Sequence, residues 1–166
     1  MNLTLEVIAC SVADAVEAER GGAGRLEIIR SFERGGLTPP FELVRDILAA
    51  VRIPVRVMLR ESESYAAADE AETERLCAAA RKLAALRVDG LVLGFLRGGE
   101  IDVGLTERIL SCAPDLKATF HHAFEEADDQ FQAIRTLKRH RQIDRILTAG
   151  GQGDWPQKIA RLASYE

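Results

Sequence analysis

Val55-Arg56-Val57-Met58-Leu59-Arg60 is a β-type run with its polar side chains all on one face. Alternation at period two puts Arg56, Met58 and Arg60 on one side of the strand and Val55, Val57 and Leu59 on the other. A parallel strand covered on both faces is ordinarily apolar throughout, so two guanidinium groups on one face call for an enclosed polar surface. Neighbouring runs repeat the pattern. Glu6, Ile8 and Cys10 share a face in Leu3–Cys10, Glu27 lies with Ile29 in Arg25–Ile29, and Thr119 lies with His121 on either side of Phe120. One shared face collects carboxylates, guanidinium groups and an imidazole, an arrangement that charge burial tolerates only where the charges compensate one another.

Outward from that run, short strands alternate with longer helical patterns. Leu3–Cys10, Arg25–Ile29, Val55–Leu59, Gly90–Leu93, Lys117–Phe120 and Arg145–Thr148 read as strands. Val12–Arg20, Phe41–Val51, Ala68–Leu86, Leu105–Cys112 and Asp129–His140 read as helices, with apolar residues three and four apart. Ser11, Asp69 and Asp129 stand where N-caps belong, and Gly21, Gly22 and Gly90 follow helices as C′ residues do. Repeated βα units require parallel strands with right-handed crossovers, in a sheet that is either open and doubly wound or closed as a barrel. The strand starts are spaced by about 28 residues, so eight units would need roughly 230, close to the ~250 of such barrels. The 166 residues therefore hold about six β/α units in a single domain. An open dinucleotide-binding sheet would carry glycines after its first strand, where this chain has Cys10-Ser11-Val12-Ala13.

Composition narrows the function. Apolar residues make up 47% and charged residues 29%, and 26 acidic against 22 basic side chains give a formal charge of −4. That balance leaves no electrostatic footprint for nucleic acid or an anionic membrane surface. No basic, apolar leader opens the sequence and no uncharged run approaches a membrane span, so a cytoplasmic location is expected. Cys10, Cys77 and Cys112 are far apart and odd in number, which draws neither a disulfide framework nor a paired-cysteine zinc motif.

Arg60 and His121 fall at carboxyl ends of strands, where α/β sheets and barrels place their sites, while Glu6 and Glu27 lie deeper. His122 is expected on the opposite face from His121, so the two do not form a chelating pair. His140, beside Lys138, Arg139 and Arg141, is expected to complement a helix dipole. The Gly35-Gly36 loop, with Pro39-Pro40, reads as a shaped lid after the second strand. Gly150 and Gly151 after the sixth strand are a weak candidate cradle for an anion.

Taken together, Ala18-Glu19-Arg20-Gly21-Gly22, Gly35-Gly36-Leu37-Thr38-Pro39, Val57-Met58-Leu59-Arg60, Asp89-Gly90, Thr119-Phe120-His121 and Asp144-Arg145-Ile146-Leu147-Thr148 resemble the CutC family of copper homeostasis proteins. The resemblance runs through nearly the whole chain. It implies a TIM-type (β/α) barrel, here incomplete, because the family continues through further units. It also implies copper ligands at two cysteine positions that hold Ile8 and Ile29 in this chain. Cu(I) prefers thiolate and thioether donors, which leaves Cys10 and Met58 as the metal candidates in the strands.

Two readings of function follow. The first is a CutC-like cytoplasmic protein of copper homeostasis. The second is a barrel enzyme for a small anionic or hydroxylated metabolite, in which Arg60 binds the anion, Glu27 serves as acid or base and His121 polarises or transfers a proton. Against both stands a bland reading, in which these side chains are a barrel-filling ion-pair network and Glu27→Gln would strand a buried cation. Unpaired edge strands in an incomplete barrel make a homo-oligomer the expected assembly.

Overall fold

A computed structural model describes residues 3–165. The chain runs β1 (Glu6–Ala9), α1 (Val12–Arg20), β2 (Arg25–Ile28), α2 (Phe41–Ala50), β3 (Val55–Met58), α3 (Glu70–Ala85), β4 (Gly90–Leu93), β5 (Leu96–Arg97), β6 (Glu100–Ile101), α4 (Val103–Ser111), β7 (Lys117–Phe120), α5 (Gln130–Leu137), β8 (Ile143–Ile146) and α6 (Trp155–Ser164). Six strands form one parallel sheet in the order β1-β2-β3-β4-β7-β8, and β5 with β6 makes a separate small hairpin. In that sheet β1 and β8 each pair on one side only. Among the described residues no helix is long and apolar enough to cross a membrane.

Period two sorts the strands as expected. Leu26, Ile28, Val55, Val57, Leu59, Leu91, Leu93, Ala118 and Phe120 point to the helices and join one large apolar core. Ile29, Met58 and Val92 form a second, separate apolar cluster on the inner face. Helix starts are fixed by side-chain caps that satisfy otherwise orphaned amides. Ser11 accepts from the Asp14 amide, Asp69 from Glu72, Asp102 from Leu105 and Asp129 from Gln132.

Several boundaries depart from the expectation, each for a local reason. The first strand is shorter than Leu3–Cys10, with Leu3 and Leu5 exposed. The last strand begins at Ile143 instead of Arg145, with an irregularity opposite Ala118/Thr119, and Thr148 leaves it to bond Glu125. The fifth helix ends at Leu137, and the His140 ring faces Glu107 on α4 at 3.5 Å. Gly90 is not a helix C′ residue but the first residue of β4; the left-handed residue after α3 is Arg87. A Cβ on Gly90 would lie 2.6 Å from the Lys117 carbonyl oxygen and 3.3 Å from Arg56 Nε, so glycine there gives the Arg56 side chain its path.

Candidate functional site

The inner face is layered by the strand register. Glu27 pairs with Arg56, Arg56 with Gly90, Met58 with Val92, and Val92 with Thr119. Arg60 is four residues beyond Arg56, about 13 Å further along the strand at ~3.3 Å per residue. The apolar cluster of Ile29, Met58 and Val92 occupies the level between. The polar residues therefore divide into a deep group and a strand-end group.

The deep group is an ion-pair network. Arg56, 1% exposed, donates from Nη1 and Nη2 to the two carboxylate oxygens of Asp144, both at 2.8 Å, from Nε to Asp89 at 3.2 Å, and from Nη1 to Thr119 Oγ1 at 2.7 Å. Arg25 pairs with Glu6, its Nε at 2.7 Å from the carboxylate. Burial pushes the Asp144 carboxyl up, but the Arg56 hydrogen bonds and charge outweigh it and hold it below its ordinary value. The expectation that the inward charges neutralise one another is corrected in its pairing. Arg56 turns to Asp89 and Asp144, and Glu27, 5% exposed, is pushed up to about 7 by burial and then by the nearby Glu6 charge.

The strand-end group is different in kind. Arg60, 4% exposed, donates from Nη1 to the Gly35 carbonyl at 3.3 Å and from Nη2 to the Glu63 carbonyl, and its guanidinium carbon lies 4.7 Å from the centre of the Tyr65 ring. Its Nε–H is buried without an acceptor. His121, fully buried, accepts at Nδ1 from the Ala123 amide at 3.1 Å, which leaves its ring proton on Nε2, and that nitrogen is also buried without a partner. Burial, then the neighbouring His122 and Arg60, drives the His121 imidazole down to about 3, so it is neutral at physiological pH. Gly94 makes room for the ring: a Cβ there would lie 2.6 Å from His121 Nδ1.

His122 is not on the opposite face. Strand geometry ends at Phe120 and a short 3₁₀ turn covers His122–Glu126, so period two no longer applies, and the His121 and His122 rings stack with centres 5.1 Å apart. Tyr65 packs against both, at 5.5 and 5.7 Å. The Gly35-Gly36 loop packs against this cluster. A Cβ on Gly35 would lie 3.3 Å from Arg60 Nη1 and 3.7 Å from His122 Nε2, and Arg34 ties the loop to Glu63 at 2.6 Å.

The metal candidates are not brought together. Met58 lies in the dry cluster with Ile29 and Val92 and is 2% exposed. Cys10 is exposed, its thiol raised by burial and by the Asp14 and Glu33 charges. The β1–β2 register, continued one residue past Ala9, sets Cys10 opposite Ile29, whose side chain stands towards Met58. Among the described residues no cluster of three or more His, Cys, Asp or Glu side chains is placed to hold a metal ion. Ile8 and Ile29 stand at the two positions for which the family resemblance implies cysteine, so the soft donors of the strands are Met58 and the exposed Cys10.

Gly150 and Gly151 are an anion cradle already filled. The Ala149 and Gly151 amides and the Thr148 hydroxyl all donate to Glu125 Oε1, at 2.6, 3.1 and 2.6 Å. Burial pushes the Glu125 carboxyl up, and these donors more than reverse it. An apolar cleft of about 360 Å³ between α5, β8 and α6 lies apart from Arg60 and His121.

Sequence reasoning missed Tyr65, which sits on a loop, misplaced His122, which opens a 3₁₀ turn, and missed Asp89 and Asp144, which meet Arg56 only through the sheet. The two aspartates did stand in stretches singled out above, but nothing local tied them to an arginine.

A parallel βα architecture with a buried cation and a neutral imidazole at the strand ends defines a barrel-type protein with a candidate site at its strand ends. Its family is established by comparison: the CutC family model matches residues 3–165, and the chain belongs to the CutC family. It is 34% identical over 165 residues to a CutC family protein of Parabacteroides distasonis, covering 98% of this chain and 68% of that one. It is 37% identical over 147 residues to the mouse copper homeostasis protein cutC homolog, covering 88% of this chain and 54% of that one. A crystal structure of a CutC protein from Streptococcus agalactiae matches with a TM-score of 0.88 at 24% identity, over 98% of this chain and 81% of that one. That likeness confirms the TIM-type barrel fold. The chain thus spans between about half and two thirds of the length of these two curated relatives.

Proposed function

We propose that this chain serves copper homeostasis, the role for which its mouse relative is named, and that its strand-end site holds a small anionic or hydroxylated ligand. One observation carries the ligand class: two buried N–H donors without acceptors, Arg60 Nε and His121 Nε2, in one cluster with Tyr65. Buried donors left unmade cost ~1–3 kcal/mol each, and an anion entering beneath the Gly35-Gly36 loop would satisfy both. His121, held neutral with Nδ1 occupied, suits hydrogen-bond donation to a carbonyl or oxyanion. The cytoplasm, where thiols stay reduced, suits three free cysteines.

The metabolite-enzyme reading shares this site, but Glu27 lies below the apolar layer and would not reach the same ligand. The test is thermal stabilisation of the purified chain by a panel of phosphate, carboxylates and sugar phosphates, beside Arg60→Met. Stabilisation by one class that Arg60→Met abolishes supports the reading. A panel that stabilises neither protein, or both equally, removes it. Complementation of copper sensitivity in cells lacking a CutC relative tests the physiological half.

A further inference from the structure

Two cysteines that the inner face does not use meet on the outside of the sheet. Cys77, 2% exposed, lies on the buried side of α3, and the half-buried Cys112 caps the end of α4. Both Sγ atoms approach the same Arg108 carbonyl oxygen as donors, at 4.0 and 3.5 Å, which brings the two thiols to one point of the α3–α4 interface. Arg81 Nη1 donates to the Cys112 sulfur at 3.1 Å. Arg108, held by Glu70 and Glu74, places a second positive charge beside Cys77.

A buried cysteine that merely fills space asks for apolar neighbours. A guanidinium directed at one sulfur and a second thiol at the same carbonyl oxygen are what a thiolate pair needs. Soft Cu(I) is satisfied by two thiolate sulfurs in a linear arrangement, whereas Zn(II) requires four ligands that this interface does not supply. We propose that Cys77 and Cys112 form a two-thiolate Cu(I) site at the α3–α4 interface, separate from the strand-end site.

In the binding step each thiol releases its proton to solvent as a Cu–S bond forms. One Cu(I) and two thiols give a bis-thiolate complex with one net negative charge and two free protons, and no oxidation state changes. Arg81, at the Cys112 sulfur, compensates the new charge. Burial and the neighbouring Cys112 push the Cys77 thiol up to about 11, so the metal-free pair keeps its proton there and copper must displace it. Entry is from the Cys112 side. Only the choice of copper among soft cations rests on the copper homeostasis reading.

The experiment is anaerobic competition of the reduced chain against Cu(I) bicinchoninate, for wild type and for Cys10→Ser, Cys77→Ser and Cys112→Ser. Wild type and Cys10→Ser are expected to withdraw one Cu(I) each, and the other two to bind at least about 100-fold more weakly. Cys112→Ser, at a half-exposed helix end, keeps the fold, and circular dichroism checks this. Arg81→Met keeps both thiols and is expected to weaken binding several-fold, a second measure should Cys77→Ser unfold. Failure of wild type to compete, loss in Cys10→Ser alone, or retention by Cys112→Ser overturns the proposal. If copper homeostasis is the wrong role, wild type still binds Cu(I) through these cysteines while complementation of copper-sensitive cells fails.

Discussion

Arg56 and Arg60 stand four residues apart on the same face of one strand run, yet Arg56 is saturated by Asp89, Asp144 and Thr119 while Arg60 keeps a buried N–H without an acceptor. Similar burial with opposite compensation separates the layer that holds the sheet from the layer proposed to take a ligand. The ion-pair reading describes the deep layer of the polar face, and the site reading is proposed for the strand ends.

Asp144 therefore matters to stability. Its bidentate bond to Arg56 joins β3 to β8, the edge strand, across the sheet. Breaking a buried pair typically costs 3–5 kcal/mol, and Asp144, 31% exposed at its side chain, should cost less, on the order of 2 kcal/mol. Urea unfolding at pH 7 is expected to show that loss for Asp144→Asn and a smaller one for the more exposed Asp89→Asn. Because the folded Asp144 is held below its ordinary value, its contribution is complete above that value and fades as pH falls through the folded one. Equal stability of Asp144→Asn and wild type at pH 7 would contradict the role given to the pair.

Glu27 and His121 should bend the pH profile in opposite senses. Glu27 rises from 4.5 to about 7 on folding, so the native state binds its proton more tightly and stability falls as pH climbs between those values. His121 drops from 6.5 to about 3, so its neutral burial stabilises fully above 6.5 and is lost as pH falls toward 3. Glu27→Gln removes the first effect. It is expected to gain on the order of 3 kcal/mol at pH 8 and to leave a profile that rises with pH up to about 6.5. This reverses the expectation drawn from pairing alone, in which the same substitution stranded a cation. Urea midpoints from pH 5 to 8 decide it, and a Glu27→Gln protein weaker than wild type at pH 8 restores the pairing.

What the sequence disclosed follows from the range of the forces involved. β2, β3, β4 and β7 were legible because Leu, Ile and Val at alternate positions face the helices, a local signal. β8 was misplaced because Asp144 and Arg145 interrupt it, and β5–β6 was missed because two-residue strands around Gly98-Gly99 carry no periodicity. α6, with its Asp154–Gln157 capping box, was overlooked behind a glycine-rich run. In the site, Arg60 and His121 could be found by strand position, whereas Tyr65 and His122 lie where period two has stopped. The pairing of Cys77 with Cys112 joins two helices and had no sequence signature at all.

Self-association is expected of the 166-residue chain. β1 and β8 each have one neighbour, Ile8 is 42% exposed, and Trp155 and Ile159 of α6 are 72% and 60% exposed. Unpaired strand edges and exposed apolar side chains favour docking of a second copy. Sedimentation velocity is expected to show mass rising with concentration, less so for Ile8→Lys. A single monomeric species across about a hundredfold range of concentration contradicts this.

Gly94 offers the sharpest check on the strand-end geometry. A Cβ at this position would stand 2.6 Å from His121 Nδ1, 2.7 Å from Cε1 and 3.2 Å from the Ala123 Cβ, so the imidazole must move for alanine to fit. Moving it breaks the Ala123 amide bond that fixes the tautomer and shifts Nε2, one of the two unpartnered donors. Gly94→Ala is expected to destabilise by about 1–3 kcal/mol, the usual cost of overpacking, and to weaken any anion identified by thermal stabilisation. Gly104 provides the contrast: it lies in α4, the nearest atom to its would-be Cβ is Asp102 Oδ1 at 3.7 Å, and alanine there should stabilise by roughly 0.5–1 kcal/mol through helix propensity. Denaturant unfolding of the two variants side by side separates a packed imidazole from a mobile one, because a His121 ring free to swing aside would let Gly94→Ala behave like Gly104→Ala.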